Sequence, residues 1–322
     1  MTELLAQSLA QAGHEVSVVT NQPGPKSAPS AFQLVRRPRW HHLASYYRQS
    51  DAIILQGPVL RLACPLLWRR HANVLMVHHM PVSRKSKLNL RNRFAERLAR
   101  RSRHACVSRW LSGVLPWPIE SVLPNPYNDS VFRPDPSVTR ARDIIFVGRL
   151  IPEKGASVLI ESVSLLKKSN DAITLTVAGD GCERQHLQEM VTAHRLNANV
   201  TFAGQVTAAG LASLLRQHHV LAVPSLRNEA FGLVTLEGLA CGCKVVVSDT
   251  GGLCEALGHC GTAVACGNAC ALAAALGRAL LEPGNKPDLE QHLAKHRPKA
   301  VAKAYLEELS RLRSWETEAC GS

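Results

Sequence analysis

Two carboxylates and two cations stand at spacings that suit chemistry on a charged ligand. Glu229 and Glu237 lie in PSLRNEAFGLVTLEGLACGCKVVVSDTGG, with seven residues between them. The pattern starts a helix near Phe231 or Gly232, so Glu229 precedes that helix and Glu237 sits about one to two turns along it. The pair can therefore grip different parts of one long ligand. Carboxylates accept hydrogen bonds from paired hydroxyls, which makes a ribose diol the natural target of Glu237 and sugar hydroxyls that of Glu229. Amides of the Phe231-Gly232-Leu233 turn can contact phosphate. A carboxylate at the positive end of a helix and a second one facing solvent would leave the same pattern.

The cations occur in FVGRLIPEKGASVLIESV, where Gly148 ends a strand and a helix begins after Lys154. Arg149 and Lys154 flank that turn, close to amides that already favour an anion. Arginine offers a planar fork and lysine a point charge, and together they can neutralise charge on a departing diphosphate without a metal ion. Taken alone, an ordinary strand-to-helix loop with solvated cations reads the same way.

These motifs need a parallel sheet to position them, and the second half of the chain spells one out. Continuous apolar runs DIIFVG (143–148), ITLTVAG (173–179), NVTFAG (199–204), HVLAVPS (219–225), KVVVSD (244–249) and TAVA (262–265) alternate with helical segments such as SVLIESVSLLKK and CALAAALGRALLE. Strands buried on both faces read this way, which predicts a doubly wound α/β domain. The first half repeats the grammar less clearly, in HEVSVVT (14–20), DAIILQG (51–57), ANVLMVHH (72–79) and HACVS (104–108). Prolines in PNPYNDSVFRPDP (124–136) mark the boundary, and residues 23–30 read as an exposed loop. The expected organisation is an acceptor-side domain over 1–136, a donor domain over 137–298, and a helix over 299–322 packing back towards the first. Two Rossmann-like domains would then face one another, with ligands in the cleft beyond the strand ends.

Composition narrows the partners. The 46% hydrophobic and 20% charged content is that of a globular protein. The net charge is +13, and all of it arises before residue 141, where 20 Lys and Arg oppose 7 Asp and Glu; the remaining residues carry 18 of each. Arg84, Lys85, Lys87, Arg91, Arg93, Arg97, Arg100, Arg101 and Arg103 form a basic stripe, read as facing an anionic membrane surface or acidic acceptor, or else simply solvent. Nucleic acid is not expected, because aromatics are 5% and no recognition motif interleaves with the stripe. The opening MTELLAQSLAQAGHEVSVVT fits neither a signal peptide nor a membrane anchor, so a cytoplasmic protein, peripheral at the membrane, is expected. Six of the ten cysteines fall between 241 and 270 but lack paired zinc spacing, and read as small buried thiols; no metal site is expected.

In order and spacing, FVGRLIPEKG, VAGDG (177–181), VTFAGQV (200–206), NEAFGLVTLEGLACG, SDTGGLCEAL (248–257) and VLPNPYNDSVFRP (122–134) resemble the retaining family-four glycosyltransferases of the GT-B fold. The resemblance implies that Arg149 and Lys154 bind the donor diphosphate, Glu229 contacts the transferred sugar and Glu237 holds the ribose. It adds Gly148 and Asn125 to the substrate-binding residues, and a histidine at the end of NVLMVHH, His78 or His79, near acceptor and anomeric carbon. A lone histidine at a strand end is otherwise more often structural.

The implied reaction moves a hexose from a nucleoside diphosphate sugar to a glycan, lipid-linked or polysaccharide acceptor with retention, and needs neither metal nor cofactor. Relatives open with a strand and glycine-rich loop ahead of the first helix, whereas this sequence opens inside that helix, so the N-terminal domain is expected to lack its first strand. A silent or truncated nucleotide-sugar-binding homologue, or a GT-B epimerase or phosphorylase, is therefore the alternative. Lys244 and Asn128 also replace the family's usual proline and aspartate. A dinucleotide oxidoreductase does not fit, because VAGDG lacks G-x-G-x-x-G spacing.

Overall fold

The computed structural model describes residues 1–23, 31–57, 62, 73–81, 102–282 and 288–319. The loop expected over 23–30 and the basic stripe from Arg84 to Arg101 lie outside them, apart from Pro23. The chain forms two compact units, Met1–Pro126 with His296–Ser322, and Tyr127–Lys295.

The first unit begins with α1 (Thr2–Gln11), which buries Leu5, Ala6, Ser8 and Leu9 on one helical stripe. Two parallel ladders follow. One pairs β1 (Ser17–Thr20) with β2 (Gln33–Arg36). The other runs β3 (Ala52–Gln56), β4 (Asn73–His78), β5 (Arg103–Cys106) and β6 (Ser121–Val122) in that order. In a doubly wound sheet the strand entering the first helix lies at the centre of the order; here α1 is the first element, and the described strands of the two ladders are not joined. Between the ladders in sequence, α2 (Trp40–Gln49) uses Leu43 and Tyr47, one turn apart, to cover Ile53, Leu55, Val74 and Met76. A short helix, α3 (Arg109–Val114), is capped by the Ser108 hydroxyl, which accepts from the Leu111 amide at 3.1 Å.

The second unit is a six-stranded parallel sheet built from β7 (Arg142–Val147), β8 (Leu175–Ala178), β9 (Val200–Gly204), β10 (His218–Val223), β11 (Lys244–Ser248) and β12 (Thr262–Val264). Its spatial order is β9-β8-β7-β10-β11-β12, the doubly wound order that reverses direction between the first and fourth strands. Helices α4 (Ala156–Lys167), α5 (Arg184–Ala193), α6 (Ala208–Gln217), α7 (Leu233–Ala240), α8 (Leu253–Leu257), α9 (Ala269–Leu281) and α10 (Leu289–Ala294) connect the strands and close the unit. Ile144, Phe146, Leu159, Ile160, Val163, Leu175, Val177, Val220 and Leu276 share one core, each no more than 2% exposed. That double-sided burial is why the strands read as unbroken apolar runs.

At the amino-terminal edge of this sheet Arg140 donates to the carbonyls of Leu215, His218 and Cys241 and reaches the Cys243 sulfur at 3.8 Å. Lys244, the residue expected to be proline, donates to the carbonyls of Ala279 and Glu282, where α9 ends and the last carbonyls lack partners. The final helix, α11 (Pro298–Ala319), belongs to the first unit and packs on α1 and β4. It buries Val301, Ala302 and Tyr305, and its Glu308 meets Arg103 at 3.6 Å. Arg103, placed in the basic stripe on sequence, is thus an ion-pair partner of the last helix.

At the carboxyl edge, the Gly179 turn presses against the loop after β7. Gly179 has φ +140, and a Cβ there would lie 1.8 Å from the Gly148 carbonyl oxygen. Replacing it with alanine demands backbone displacement, so Gly179→Ala should destabilise the protein by at least about 2 kcal/mol. Gly113→Ala, where a Cβ meets open space within α3, should be neutral or stabilise by up to about 1 kcal/mol. Urea-unfolding midpoints of the two variants against the parent protein check both; an unshifted midpoint for Gly179→Ala would remove the contact from the account.

Candidate functional site

The sheet reversal puts the loops after β7 and β10 side by side, because those two strands pair directly, with Leu221 opposite Ile145 and Ala222 opposite Phe146. The loops are joined by the Leu226 amide donating to the Glu153 carbonyl at 2.8 Å. Across this junction Lys154 Nζ lies 2.9 Å from Glu229 Oε1, with both side chains partly exposed. Ser225, buried at the end of β10, donates its hydroxyl to the same oxygen. Glu229 Oε2 has no partner among the described residues. Arg149, one residue beyond Gly148, is exposed and makes no ion pair among the described residues. The Lys154 stem passes Gly148, whose Cβ position lies 3.9 Å from Lys154 Cδ. The Lys154–Glu229 pair thus sits at the carboxyl end of the sheet, with Arg149 in the same loop as Lys154, where open α/β sheets bind ligands.

The second half of the site is the entry to α7. Gly232 takes a left-handed conformation ahead of Leu233; the Thr235 amide turns back to the Gly232 carbonyl at 3.0 Å, and a helix entry of this kind presents its earlier amides outward. Phe231 is buried and fixes the turn in the core. Glu237 is the fifth residue of the helix, and burial raises its carboxyl to about 7. The Asn228–Phe231 segment is held from behind by the TGG loop. Thr250 donates its hydroxyl to Asn228 Oδ1 at 2.6 Å, and the Gly252 amide donates to the Glu229 carbonyl at 2.7 Å. Gly251, at φ +62, comes so close that a Cβ would lie 2.5 Å from the Glu229 nitrogen. Ser225, Asn228 and Thr250 were not singled out on sequence; the fragments SDTGG and RNEAFG were, without their contact.

The remaining two expected residues belong to the first unit. His78 is the last residue of β4 and 1% exposed, and its Nε2 lies 2.9 Å from His104 Nδ1. Burial, with smaller contributions from His104 and His79, lowers its pKa to about 4, so the ring is neutral. His79, the alternative assignment, is bonded to the Gln56 side chain, which also bonds Tyr305 of α11. Asn125 is buried, its carbonyl accepts from His296 Nδ1 at 3.1 Å, and its Oδ1 has no partner among the described residues. The structure therefore brings Gly148, Arg149, Lys154, Glu229, Phe231, Gly232, Leu233 and Glu237 into one unit, and places His78 and Asn125 in the other.

The cysteines correct an expectation in part. Cys241, Cys243 and Cys260 are buried, and burial raises the thiols of Cys241 and Cys243 to about 11 and about 12. Cys266 and Cys270 are exposed and Cys254 is intermediate: Cys254 lies in the short α8, Cys266 in the loop after β12 and Cys270 in the first turn of α9. No helix among the described residues is long and apolar enough to cross a membrane.

Known proteins with this arrangement are numerous. The chain is 35% identical to the glycogen synthase of Mycobacterium tuberculosis over 147 residues, 45% of this chain and 35% of that protein. It is 36% identical to the D-inositol 3-phosphate glycosyltransferase of Salinispora tropica over 164 residues, 48% of this chain and 34% of that one. The alignments span about a third of the length of these curated relatives. Among solved structures, a glycosyltransferase from Rickettsia africae superposes with a TM-score of 0.76 at 16% identity, covering 97% of this chain and 93% of its own. Anabaena HepE, solved in complex with UDP and glucose, gives 0.70 at 18% identity, over 99% and 95%. These likenesses establish the GT-B fold. The profile of the family described as Glycosyl transferases group 1 matches residues 129–299, more than half of the 322 positions, so the chain belongs to that family.

Proposed function

We propose that this protein is a retaining, metal-independent glycosyltransferase that moves a hexose from a nucleoside diphosphate sugar to a glycan, lipid-linked or polysaccharide acceptor. One observation carries the reading: Lys154 and Glu229 meet at 2.9 Å across the two loops that flank the sheet reversal, with Arg149 exposed beside them and the α7 amides alongside. A diphosphate is the ligand that uses both cations and a helix amino end together. The Glu229 carboxylate, through its open oxygen, takes hydroxyls of the transferred sugar, and Glu237 takes the ribose diol. The UDP and glucose in HepE, and the sugar-transferring names of the curated relatives, support the same ligand class.

In this mechanism the sugar–phosphate bond breaks through an oxocarbenium-like transition state. Arg149 and Lys154 stabilise the charge that grows on the departing diphosphate, an interaction strongest as the bond breaks. His78, neutral and with Nδ1 open, serves the acceptor side. The acceptor's anionic character, and association with the cytoplasmic face of a membrane, follow from the charge excess of the first 140 residues.

Turnover decides the reading. UDP-glucose, UDP-galactose, UDP-N-acetylglucosamine and GDP-mannose are screened for nucleotide release in chelator, with and without acceptor. One donor should turn over, and Lys154→Ala and Glu229→Ala should each lower kcat on the order of 100-fold or more while melting like the parent. Donor binding without turnover would favour a silent homologue, and release of a free epimerised sugar an epimerase.

Glu237 supplies a pH signature. Burial raises its carboxyl to about 7, and a diol donating two hydrogen bonds prefers the ionised form, so donor binding lowers that value. Affinity for the intact nucleotide sugar, whose diphosphate does not titrate in this range, should therefore rise with pH until about 7 and level off above it. Calorimetric titration at pH 5.5, 6.5 and 8 should show that slope, and Glu237→Gln should flatten it.

A further inference from the structure

His78 does not stand alone. His104 is 3% exposed, and its ring lies 5.2 Å from that of His78 with only 11° between the planes. With Nε2 and Nδ1 2.9 Å apart, that separation is what two imidazoles give when they lie edge to edge, joined by one hydrogen bond. Trp117, from the loop between α3 and β6, lies nearly parallel to both rings, 5.2 Å from His78 and 5.6 Å from His104 at 20° and 15°. The loop is cross-tied to His104: the His104 amide donates to Glu120 Oε2 at 2.6 Å, and the Glu120 amide donates to the His104 carbonyl at 2.9 Å. His78 Nδ1, on the far side of its ring, is buried and makes no hydrogen bond among the described residues.

We propose that His104 is a positioning residue for His78, fixing its tautomer and ring plane, with Trp117 as the cover, so that Nδ1 is offered to substrate as one defined hydrogen-bonding atom. The logic is that of two neutral imidazoles sharing one bond. If His78 Nε2 donates to His104, Nδ1 is an acceptor; if Nε2 accepts, Nδ1 carries the proton and donates. The shared bond ties the two tautomers together, so the proton position on His104 sets that on His78, whose Nδ1 has no partner among the described residues. The role rests on the reading of His78 as the acceptor-side histidine. A buried pair that only fills the core would have the same distances but no effect on chemistry.

The test uses the full chain with His104→Phe, which keeps a ring and loses the bond, and His104→Asn, whose side-chain amide places a hydrogen-bonding group near the position of Nδ1. Long-range proton–nitrogen NMR of the His78 imidazole, assigned by its loss in His78→Gln, reads the tautomer. Expected are a single tautomer in the parent, a mixture in His104→Phe, and a kcat about tenfold lower or more at unchanged donor KM, with His104→Asn recovering most of both. A mixture in the parent, an unchanged tautomer or kcat in His104→Phe, or an asparagine variant as poor as the phenylalanine one overturns the proposal. If His104→Phe does not melt cooperatively, His104→Ala replaces it. Should the parent turn over no donor, the proposed function fails, while the tautomer measurement still decides whether His104 sets the state of His78.

Discussion

The pairing of β7 with β10 controls the chemistry of the second unit. These strands are first and fourth in the unit's sequence, and their adjacency is what reverses the winding of the sheet. Residues 149–154 and 225–232 are separated by about 75 positions of chain, yet the ladder delivers them to one point, where Lys154 and Glu229 neutralise each other. A partly exposed ion pair of this kind adds little to stability. Its effect is on orientation, since a lysine held by a carboxylate keeps one direction.

Support for that point comes from backbone rather than from side chains. The turn at Gly179 abuts the Gly148 carbonyl, and the TGG loop abuts the Glu229 segment, each at a separation that only glycine permits. Loops so tightly apposed cannot drift independently, which gives the charged groups the rigidity that a preorganised electrostatic site needs. The first unit solves its own positioning differently, with rings: His78, His104 and Trp117 hold one another by a hydrogen bond and near-parallel faces.

Much of this was legible in the sequence, for reasons that differ by element. The central strands of the second unit announce themselves because burial on both faces favours apolar residues, the edge strands β9 and β12 are partly exposed yet still mostly apolar, and the structure moves the ends of all six by no more than two positions. QLVR (33–36) escaped notice because only two of its four residues are apolar and it carries no turn signal; Ser121–Val122 is too short to carry any pattern. Lys154 and Glu229 were identified as separate residues, but their contact depends on strand order, which periodicity does not encode. His104 was legible only as the first residue of HACVS. Its meeting with His78 requires the β4–β5 register, which sets His78 opposite Cys106 and puts His104 two residues back on the same face.

Arg140 has a wider consequence. Its guanidinium joins the start of β10 to the end of α7 just before β11, at the edge of the sheet opposite the charged pair, so the stitching that closes the unit and the Lys154–Glu229 pair occupy opposite ends of the same sheet. At the carboxyl end Arg149 is exposed and makes no ion pair among the described residues, whereas its neighbours Gly148 and Leu150 are engaged by the Gly179 turn and the core. Such a division leaves one exposed side chain at the carboxyl end free to vary without loosening the stitched end of the strands.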